Sequence, residues 1–337
     1  MTAPDVVHVV CTEEFAGVER YVSTLARVQD QRGARVLVLG GDPARMPTEL
    51  AGTGVGWQPA ATWRQARRGL RGLTPGVVHA HMTAAELAAV LAARAPVVAT
   101  RHFAERRGSS LPARAVGRFL TARIAAQVAI SAFVAERVEG VSVVAHPGVP
   151  AVPEPGADRE QVVLIAQRLE AEKRTDLGLR IWAASGLGSR GWTLQIAGTG
   201  ALRPELETMA RRLGVGDSVR FLGARSDVGA LLSRAGILFA PRPDEPYGLS
   251  VVEAMAHGVP VVAGSGGGHT ETVGSVPGAV LVPADDLTTA GRMLAALADD
   301  PARRAAYGAA LRAAQQERFD LSGHADAVAA VYAEVRR

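Results

Sequence analysis

Short apolar runs alternate with helix-length stretches along the whole chain. The runs are rich in valine, isoleucine and leucine and are bounded by glycine, proline or charged residues. Such runs are typical of strands buried on both faces, and strands that alternate with helices favour parallel sheets covered on both sides. The pattern predicts strands at Val6–Cys11, Ala34–Leu39, Val77–Ala80, Val97–Thr100, Val141–Ala145, Val162–Ala166, Thr193–Ala197, Ser218–Leu222, Ile237–Ala240 and Val259–Ala263.

Helical periodicity fills the intervals between these runs. In the segment Val18–Gln31, Tyr21, Leu25 and Val28 fall on one face of a helix. The same spacing predicts helices at Leu287–Ala298 and Ala302–Gln316, and an amphipathic last segment, Leu321–Arg337, long enough to pack back across the molecule.

A proline-rich segment, His146–Glu160, interrupts the alternation near the middle of the chain. Four prolines exclude a continuous helix or a central strand there, so the segment predicts an interdomain linker. We therefore expect an α/β protein with two doubly wound, Rossmann-like domains, residues 1–150 and 151–320, and a C-terminal helix, residues 321–337. The carboxyl ends of their two sheets would face a central ligand cleft.

Composition supports a globular protein with no covalent framework. Of the 337 residues, 48% are hydrophobic and 21% charged, and no uncharged apolar run reaches the length of a membrane span. No basic segment precedes the first apolar stretch, which argues against a signal peptide and predicts a cytoplasmic location. Cys11 is the only cysteine, which excludes an internal disulfide and a cysteine-based metal cage.

The excess of basic over acidic residues is confined to the first half of the chain. Residues 1–150 carry 17 arginines against 11 acidic residues. The cluster Arg64, Arg67, Arg68 and Arg71 lies beside Trp63, Leu70 and Leu73, so it is either a solvated surface or a helix on the inner membrane face. Nucleic-acid binding is disfavoured, because aromatic residues make up 4% and no stacking platform shows.

The densest chemistry lies in Phe239–Val273. A proline-rich loop carrying Glu245 follows a predicted strand, a helix is expected to begin near Gly248, and Glu253 lies within that helix. The free N–H groups at such a start, including that of Leu249, and the helix dipole suit a phosphate. A lone glutamate there ordinarily compensates the dipole, whereas one turned towards a sheet edge suits a diol or a cation.

A second cluster follows the strand Val162–Ala166. Arg168 and Lys173 flank the turn into the next helix, and two cations at this place suit a diphosphate. The alternative is a surface loop with salt bridges to Glu170 and Glu172. Lys173 is the only lysine among 37 basic residues, so its presence where arginine is otherwise used favours the first interpretation.

Weaker signals lie in the first domain. Gly17 lies in the loop after the first strand, just before a predicted helix, a position that suits a phosphate loop but is also common for steric reasons. His102 follows a predicted strand, where it can bind a hydroxyl or move a proton, and His79 and His81 have less support. Arg106 and Arg107 follow His102 and hint at an acidic or lipid-linked acceptor.

Together these motifs resemble the retaining GT-B glycosyltransferases of family 4, also called group 1. Glu245 and Glu253 match the family's E-x7-E signature, Arg168 and Lys173 its basic pair, and the segment 16–20 its glycine loop. Further similarity lies at Ile196–Gly200, Phe221–Gly223 and Gly267–Glu271, so it covers nearly the whole chain. Two segments depart from the family pattern: HPGV at His146–Val149, and Pro241–Arg242, which affects donor contacts.

The resemblance implies a hexosyltransferase (EC 2.4 class) that uses a UDP- or GDP-linked sugar. Glu253 would hold the ribose hydroxyls, Glu245 and His102 would lie at the transferred sugar, and Gly17 would close on the phosphates. Arg168, Lys173 and the N–H groups of Gly248 and Leu249 would neutralise the leaving diphosphate. No D-x-D triplet occurs, so we expect no metal and no other cofactor.

Other functions are compatible with the same residues. A nucleotide-sugar epimerase would convert its donor without an acceptor, and a basic membrane- or polyanion-binding module would bind in a salt-dependent manner without nucleotide. A pyridoxal-dependent phosphorylase is disfavoured, because the only lysine lies on the phosphate turn. The acceptor is expected to be a small molecule, a glycan or a lipid-linked sugar.

Overall fold

The structure is a computed structural model that describes residues 3–108, 110–153 and 159–337. Part of the predicted linker, residues 154–158, lies outside the described residues. The chain divides into two compact units, one formed by residues 1–148 and 321–337 and the other by residues 149–320.

The first unit is built on a seven-stranded parallel sheet. Its strand order is β3-β2-β1-β4-β5-β6-β7. All strands are parallel, and successive strands are added on one side of β1 up to β3 and on the other side from β4 onwards. Its strands are β1 Val6–Val10, β2 Val36–Gly40, β3 Gly56–Gln58, β4 Val77–His81, β5 Val97–Arg101, β6 Ala126–Ala129 and β7 Val143–Val144. The helices between them are α1 Gly17–Gln31, α2 Met46–Glu49, α3 Trp63–Leu70, α4 Thr83–Ala92, α5 Leu111–Thr121 and α6 Ala132–Arg137.

The second unit repeats the plan with a six-stranded parallel sheet in the order β10-β9-β8-β11-β12-β13. Its strands are β8 Val162–Ala166, β9 Thr193–Ala197, β10 Val219–Gly223, β11 Ile237–Ala240, β12 Val261–Gly264 and β13 Val280–Val282. Its helices are α7 Thr175–Ser185, α8 Arg203–Arg212, α9 Val228–Arg234, α10 Leu249–Ala256, α11 Leu287–Asp299 and α12 Pro301–Arg318. The doubly wound α/β class predicted from the sequence is confirmed in both units.

The last helix, α13 Leu321–Val335, belongs to the first unit. Its buried residues Ala325, Val328, Val331 and Tyr332 join one hydrophobic cluster with Val6 and other residues of β1, α1 and β2. The helix therefore covers one face of the first sheet and contributes a tyrosine to its interior.

Three strands were absent from the sequence prediction: β3, β6 and β13. Each is three or four residues long, and β3 reads Gly-Trp-Gln with no apolar run. They form by pairing with a neighbouring strand, which a local pattern does not record. Among the described helices, none combines the length and the apolarity that a membrane span needs.

Candidate functional site

In the second unit, the two loops at the sheet's switch point bring Lys173 and Glu245 together. Strands β8 and β11 are neighbours in the sheet although they are distant in sequence. The loop after β8 ends in Lys173, and the loop after β11 carries Glu245. Lys173 Nζ donates to both Glu245 carboxylate oxygens at 2.8 Å. Ligands of doubly wound sheets bind at such a switch point, beyond the carboxyl ends of the strands.

A second cation stands near this pair. Arg242 lies on the same loop, and its guanidinium is 3.9 Å from a Glu245 oxygen and bonds Asp244 at 3.1 Å. The side chains of Lys173, Glu245 and Arg242 are 21%, 13% and 16% exposed, so each is shielded but reachable from solvent. Together with Asp244, the Lys173–Glu245–Arg242 group contains two cations and two carboxylates and therefore has no net charge.

The glycine-rich loop after β12 supports the backbone that carries Glu245. A Cβ at Gly266 would lie 2.5 Å from Pro243 O, one at Gly267 2.4 Å from Glu245 O, and one at Gly268 2.7 Å from Pro246 O. The amide of Gly268 donates to Glu245 O at 2.8 Å. Successive glycines are therefore required for the two loops to lie backbone against backbone.

Helix α10 begins directly after the Glu245 loop. Gly248 precedes it in a left-handed conformation, with φ of 92° that favours glycine. N–H groups at the start of a helix, such as that of Leu249, suit an anion, although that of Val251 donates to Gly248 O at 3.0 Å; Glu253 is half-buried on the second turn. The helix start predicted near Gly248 is thus where the structure has it.

His269 is a buried residue of this region that the sequence analysis did not single out. Its side chain is 1% exposed, its Nδ1 donates to Gly264 O at 3.2 Å, and its Nε2 is buried without a hydrogen-bond partner among the described residues. That nitrogen would lie 3.2 Å from a Cβ at Gly248, so the imidazole supports the start of α10. Burial lowers the pKa of His269, while Glu245 acts in the opposite direction. Its place in the Gly-Gly-His segment was the available signal.

Arg168 lies apart from this group. Its side chain is half exposed and bonds Glu172 at 2.8 Å, which is the surface salt bridge that the sequence analysis weighed as the alternative. Lys173 bonds Glu245 instead, on a loop 72 positions away. The two cations of the predicted pair therefore differ in setting, although they are five positions apart in the sequence.

In the first unit, the predicted residues Gly17 and His102 follow strands β1 and β5. Gly17 is the exposed first residue of α1, and His102 comes directly after β5 and is 8% exposed. His102 Nε2 shares a hydrogen bond with His81 Nδ1 at 3.1 Å. Burial lowers the pKa of His102 to about 3, so the ring is neutral at physiological pH.

His8, His79 and His81 form a buried cluster whose ligand atoms lie within 4.8 Å of one another. Each of their six ring nitrogens has a hydrogen-bond partner among the described residues: His81 and Gln29 for His8, Tyr332 and Thr100 for His79, and His8 and His102 for His81. A metal ion would have to displace these bonds, so the cluster fits a hydrogen-bonded core better than a metal site.

Arg107, predicted as an acceptor contact, is 3% exposed. Its guanidinium bonds Glu86, Glu139 and Gln127, so it joins α4, the loop after α6 and β6. The prediction is therefore corrected, because a guanidinium committed to buried partners is not available to a ligand. Arg106, its neighbour, is exposed.

The helix considered as a membrane contact, α3, turns its apolar residues inward. Ala66 and Leu70 are buried, and Trp63 and Leu73 pack against the same hydrophobic cluster. The arginines of α3 therefore border a packed helix and leave no apolar face for a bilayer. An exposed apolar surface occurs instead on α5, where Leu111, Val116 and Phe119 are 79%, 42% and 40% exposed.

In comparison with known proteins, each half of the chain matches a glycosyltransferase family model. Residues 15–151 match the family model described as Glycosyltransferase Family 4, and residues 153–313 match the one described as Glycosyl transferases group 1. The chain is 33% identical over 177 residues to the lipopolysaccharide core biosynthesis mannosyltransferase LpsB of Rhizobium meliloti, covering 50% of each protein. It is 36% identical over 151 residues to a D-inositol 3-phosphate glycosyltransferase of Corynebacterium kroppenstedtii, covering 44% of the chain and 32% of that protein.

These matches span half or less of the length of the two relatives. The fold is similar over the whole chain to Anabaena HepE crystallised with UDP-glucose, with a TM-score of 0.79, 20% identity, and coverage of 98% of this chain and 99% of that one. This similarity establishes the GT-B architecture of two parallel sheets with flanking helices.

Proposed function

The chain belongs to the family 4, or group 1, glycosyltransferases, and from that premise we propose that it moves a hexosyl group from a nucleotide sugar to an acceptor. The observation that carries this proposal is the Lys173–Glu245 pair beside the start of α10. Cation, carboxylate and free N–H groups are the three elements that a sugar diphosphate needs, and they come from adjacent loops at one switch point. The comparisons support the donor class, since HepE was crystallised with UDP-glucose and LpsB is named a mannosyltransferase.

In the proposed reaction, the leaving diphosphate gains negative charge as the glycosidic bond breaks. Lys173 and the N–H group of Leu249 at the start of α10 would stabilise that charge, which is the largest contribution such a site makes. Glu253 would hold the ribose hydroxyls. This arrangement supports a metal-independent reaction, for which turnover is expected to be the same with and without EDTA.

We propose that the anomeric configuration of the sugar is retained. Both Glu245 oxygens accept from Lys173 Nζ, which lowers the nucleophilicity of the carboxylate and argues against a covalent glycosyl-enzyme. A front-face reaction, in which the leaving phosphate takes the acceptor's proton, fits this setting better. The anomeric proton coupling in the product's NMR spectrum distinguishes retention from inversion.

The donor-site assignment is tested by alanine substitutions. Lys173→Ala and Glu253→Ala are each expected to weaken binding of the preferred nucleotide sugar at least about tenfold, because each removes a charged hydrogen bond. Glu317→Ala, an exposed glutamate on α12, is the matched control and should bind as the wild type does. A calorimetric panel of UDP- and GDP-linked hexoses first identifies the donor. Wild-type binding in Lys173→Ala would contradict the assignment, and acceptor-free conversion of the donor sugar would identify an epimerase.

We also propose that the first unit contacts an anionic membrane surface, from which a lipid-linked acceptor would be taken. The exposed apolar residues of α5 are flanked by exposed Arg114, Arg118 and Arg123. Apolar side chains that enter the interface, surrounded by guanidinium groups that pair with phosphates, are what an interfacial helix needs.

A further inference from the structure

A continuous chain of hydrogen bonds leads from the interior of the first unit to His102. We name it the histidine chain and define it as Gln29, His8, His81 and His102. Gln29 Oε1 lies 2.8 Å from His8 Nε2, His8 Nδ1 lies 3.0 Å from His81 Nε2, and His81 Nδ1 lies 3.1 Å from His102 Nε2. All four side chains are at most 9% exposed, so no solvent competes for these bonds.

The three imidazoles of the chain are neutral. Burial lowers the pKa of His8 to about 4 and that of His102 to about 3, and it lowers the pKa of His81 well below its usual value. Arg101 and His324 lower the pKa of His102 further. A neutral imidazole carries one N–H and one acceptor nitrogen, so each bond of the chain needs one donor and one acceptor. Only two arrangements satisfy every bond, with all three rings protonated on Nε2 or all three on Nδ1.

The side-chain amide of Gln29 distinguishes the two arrangements. With Oε1 towards His8, the amide accepts from His8 Nε2, and its Nε2 faces the hydroxyl of Tyr332 at 3.4 Å. That hydroxyl can then donate to His79 Nδ1 at 2.6 Å, and His79 Nε2 can donate to Thr100 at 2.6 Å. Every bond has one donor in this orientation, and the rotated amide would also give every bond one donor. The position of Oε1 towards His8 is therefore the observation that assigns the tautomer.

We propose that Gln29 is a positioning residue that holds His8, His81 and His102 in one shared tautomer, protonated on Nε2. His102 Nδ1 is left as an acceptor. This nitrogen has no hydrogen-bond partner among the described residues and is not among their buried orphaned atoms, so it keeps contact with solvent. A neutral acceptor selects a hydroxyl that donates to it and rejects a carboxylate.

Its consequence for the reaction rests on the proposed function. If His102 contacts the transferred sugar, Nδ1 accepts from a sugar hydroxyl, and a hexose is preferred to the uronate of the same configuration. Rotation of the Gln29 amide would reverse all three tautomers together and turn Nδ1 into a donor. The tautomer of His102 is therefore decided by Gln29, which lies three hydrogen bonds away along the histidine chain.

The direct test is long-range 1H–15N NMR of the full-length protein labelled with 15N-histidine. We expect the Nε2–H pattern for His8, His81 and His102, unchanged between about pH 5 and pH 8. Different tautomers among the three rings, a shared Nδ1–H pattern, or titration of His102 in this range would each overturn the proposal. So would stoichiometric shifts of the His8, His79 and His81 signals with one equivalent of Zn²⁺, because a metal would occupy the acceptor nitrogens.

The role of Gln29 is tested with Gln29→Leu and the control Gln31→Leu, which makes the same change at an exposed position of the same helix. Gln29→Leu should give mixed tautomers at His102, whereas Gln31→Leu should keep the wild-type spectrum. A wild-type spectrum in Gln29→Leu would overturn the proposal. Should Gln29→Leu not fold, the wild-type spectrum still decides the shared tautomer.

Kinetics separate this proposal from the proposed function. With a glycosyl donor, Gln29→Leu is expected to lower kcat about tenfold while the KM for the donor stays the same, since one aligned hydrogen bond is lost. A lowered kcat that recovers in Gln29→Glu, which keeps the acceptor for His8, would support positioning. If the NMR spectra are as expected but no glycosyl transfer is found, the proposed function is refuted and the tautomer assignment stands. If transfer is found but the three rings do not share the Nε2–H tautomer, the tautomer assignment is refuted and the proposed function stands.

Discussion

How closely two backbone segments approach each other decides which glycines of this protein can be replaced by a larger residue. Gly267 has φ of 58°, and a Cβ there would lie 2.4 Å from Glu245 O. Gly186 has a similar φ of 63° but nothing within 4 Å of a Cβ. The two glycines share the left-handed conformation and differ in whether a side chain has space.

This pair of glycines gives a matched prediction. Gly186→Ala should cost about 1 kcal/mol of unfolding free energy, the penalty of the left-handed conformation alone. Gly267→Ala should cost about 1–3 kcal/mol more, because the Glu245 loop must move. Chemical denaturation measures the unfolding free energy of both variants, and calorimetry with the nucleotide-sugar donor measures the effect on binding. Equal unfolding free energies in the two variants would contradict the close packing of the loops.

Residue type alone did not separate functional from structural charges. Arg106 and Arg107 are adjacent and chemically identical, yet one is exposed and the other is 3% exposed between Glu86 and Glu139. Arg168 and Lys173 divide in the same way, one to a surface salt bridge and the other to Glu245. Which of two neighbouring cations meets a partner on a distant segment depends on residues far away in the sequence.

At the scale of elements, the role considered for α3 fits α5 better, a helix for which the sequence analysis made no prediction. In α3 the apolar positions meet the core, and the arginines are left at the rim. In α5 the apolar positions Leu111, Val116 and Phe119 face solvent beside arginines, and Arg123 lies over the Phe119 ring at 5.2 Å. An amphipathic helix binds a bilayer only if its apolar face is free.

Vesicle flotation tests this assignment. The wild type should bind phosphatidylglycerol vesicles and not phosphatidylcholine vesicles, and added salt should weaken the binding. Replacing Leu111, Val116 and Phe119 by serine should abolish binding, because the apolar contribution is lost. Replacing Arg64 and Arg68 of α3 by serine, the control, should leave most of it. Binding that depends on α3 and not on α5 would contradict the assignment.

At the scale of the whole molecule, the first unit buries five histidines as neutral rings. The pKa of His8 falls from 6.5 in the unfolded chain to about 4 in the folded protein, and those of His79, His81, His102 and His324 are lowered as well. Between these values the unfolded chain binds more protons than the folded one. The contribution of these neutral histidines to the free energy of unfolding is therefore complete above about pH 6.5 and is lost as the pH falls towards 4.

The first unit should accordingly be acid-sensitive. His8 alone contributes about 3 kcal/mol across this range. Amide-exchange protection factors measured at pH 7.5 and pH 5 should fall more in β1, β4 and β5 than in β8 and β11, because the second unit has fewer buried histidines. Equal losses of protection in the two units would refute the explanation.

The fold followed from local pattern to a large extent. The predicted strands β8, β9 and β11 have the bounds seen in the structure, and α1, α11, α12 and α13 begin and end within about two residues of prediction. These segments carry long periodic or continuous apolar patterns that only one element type satisfies. The missed strands β3 and β6 lack such a pattern and are defined by pairing with a neighbour, whereas β13, Val-Leu-Val, is an apolar run of only three residues.

The sequence by itself determined the class of the fold and predicted four residues of the candidate donor site, but it also predicted Arg168, which lies apart, and did not predict Arg242 or His269. Apolar periodicity specifies strands and helices locally, and Glu245, Glu253, Gly248 and Lys173 lie in segments of distinctive composition. Only the tertiary structure decided which groups meet: Lys173 with Glu245, Arg107 with Glu86, and His102 with a chain that ends at Gln29. Strand order places these partners side by side across 21 to 72 positions of sequence, and no local pattern encodes that order. The physical reason is that hydrogen bonds and ion pairs act over a few ångströms, whereas the burial of apolar runs is visible residue by residue.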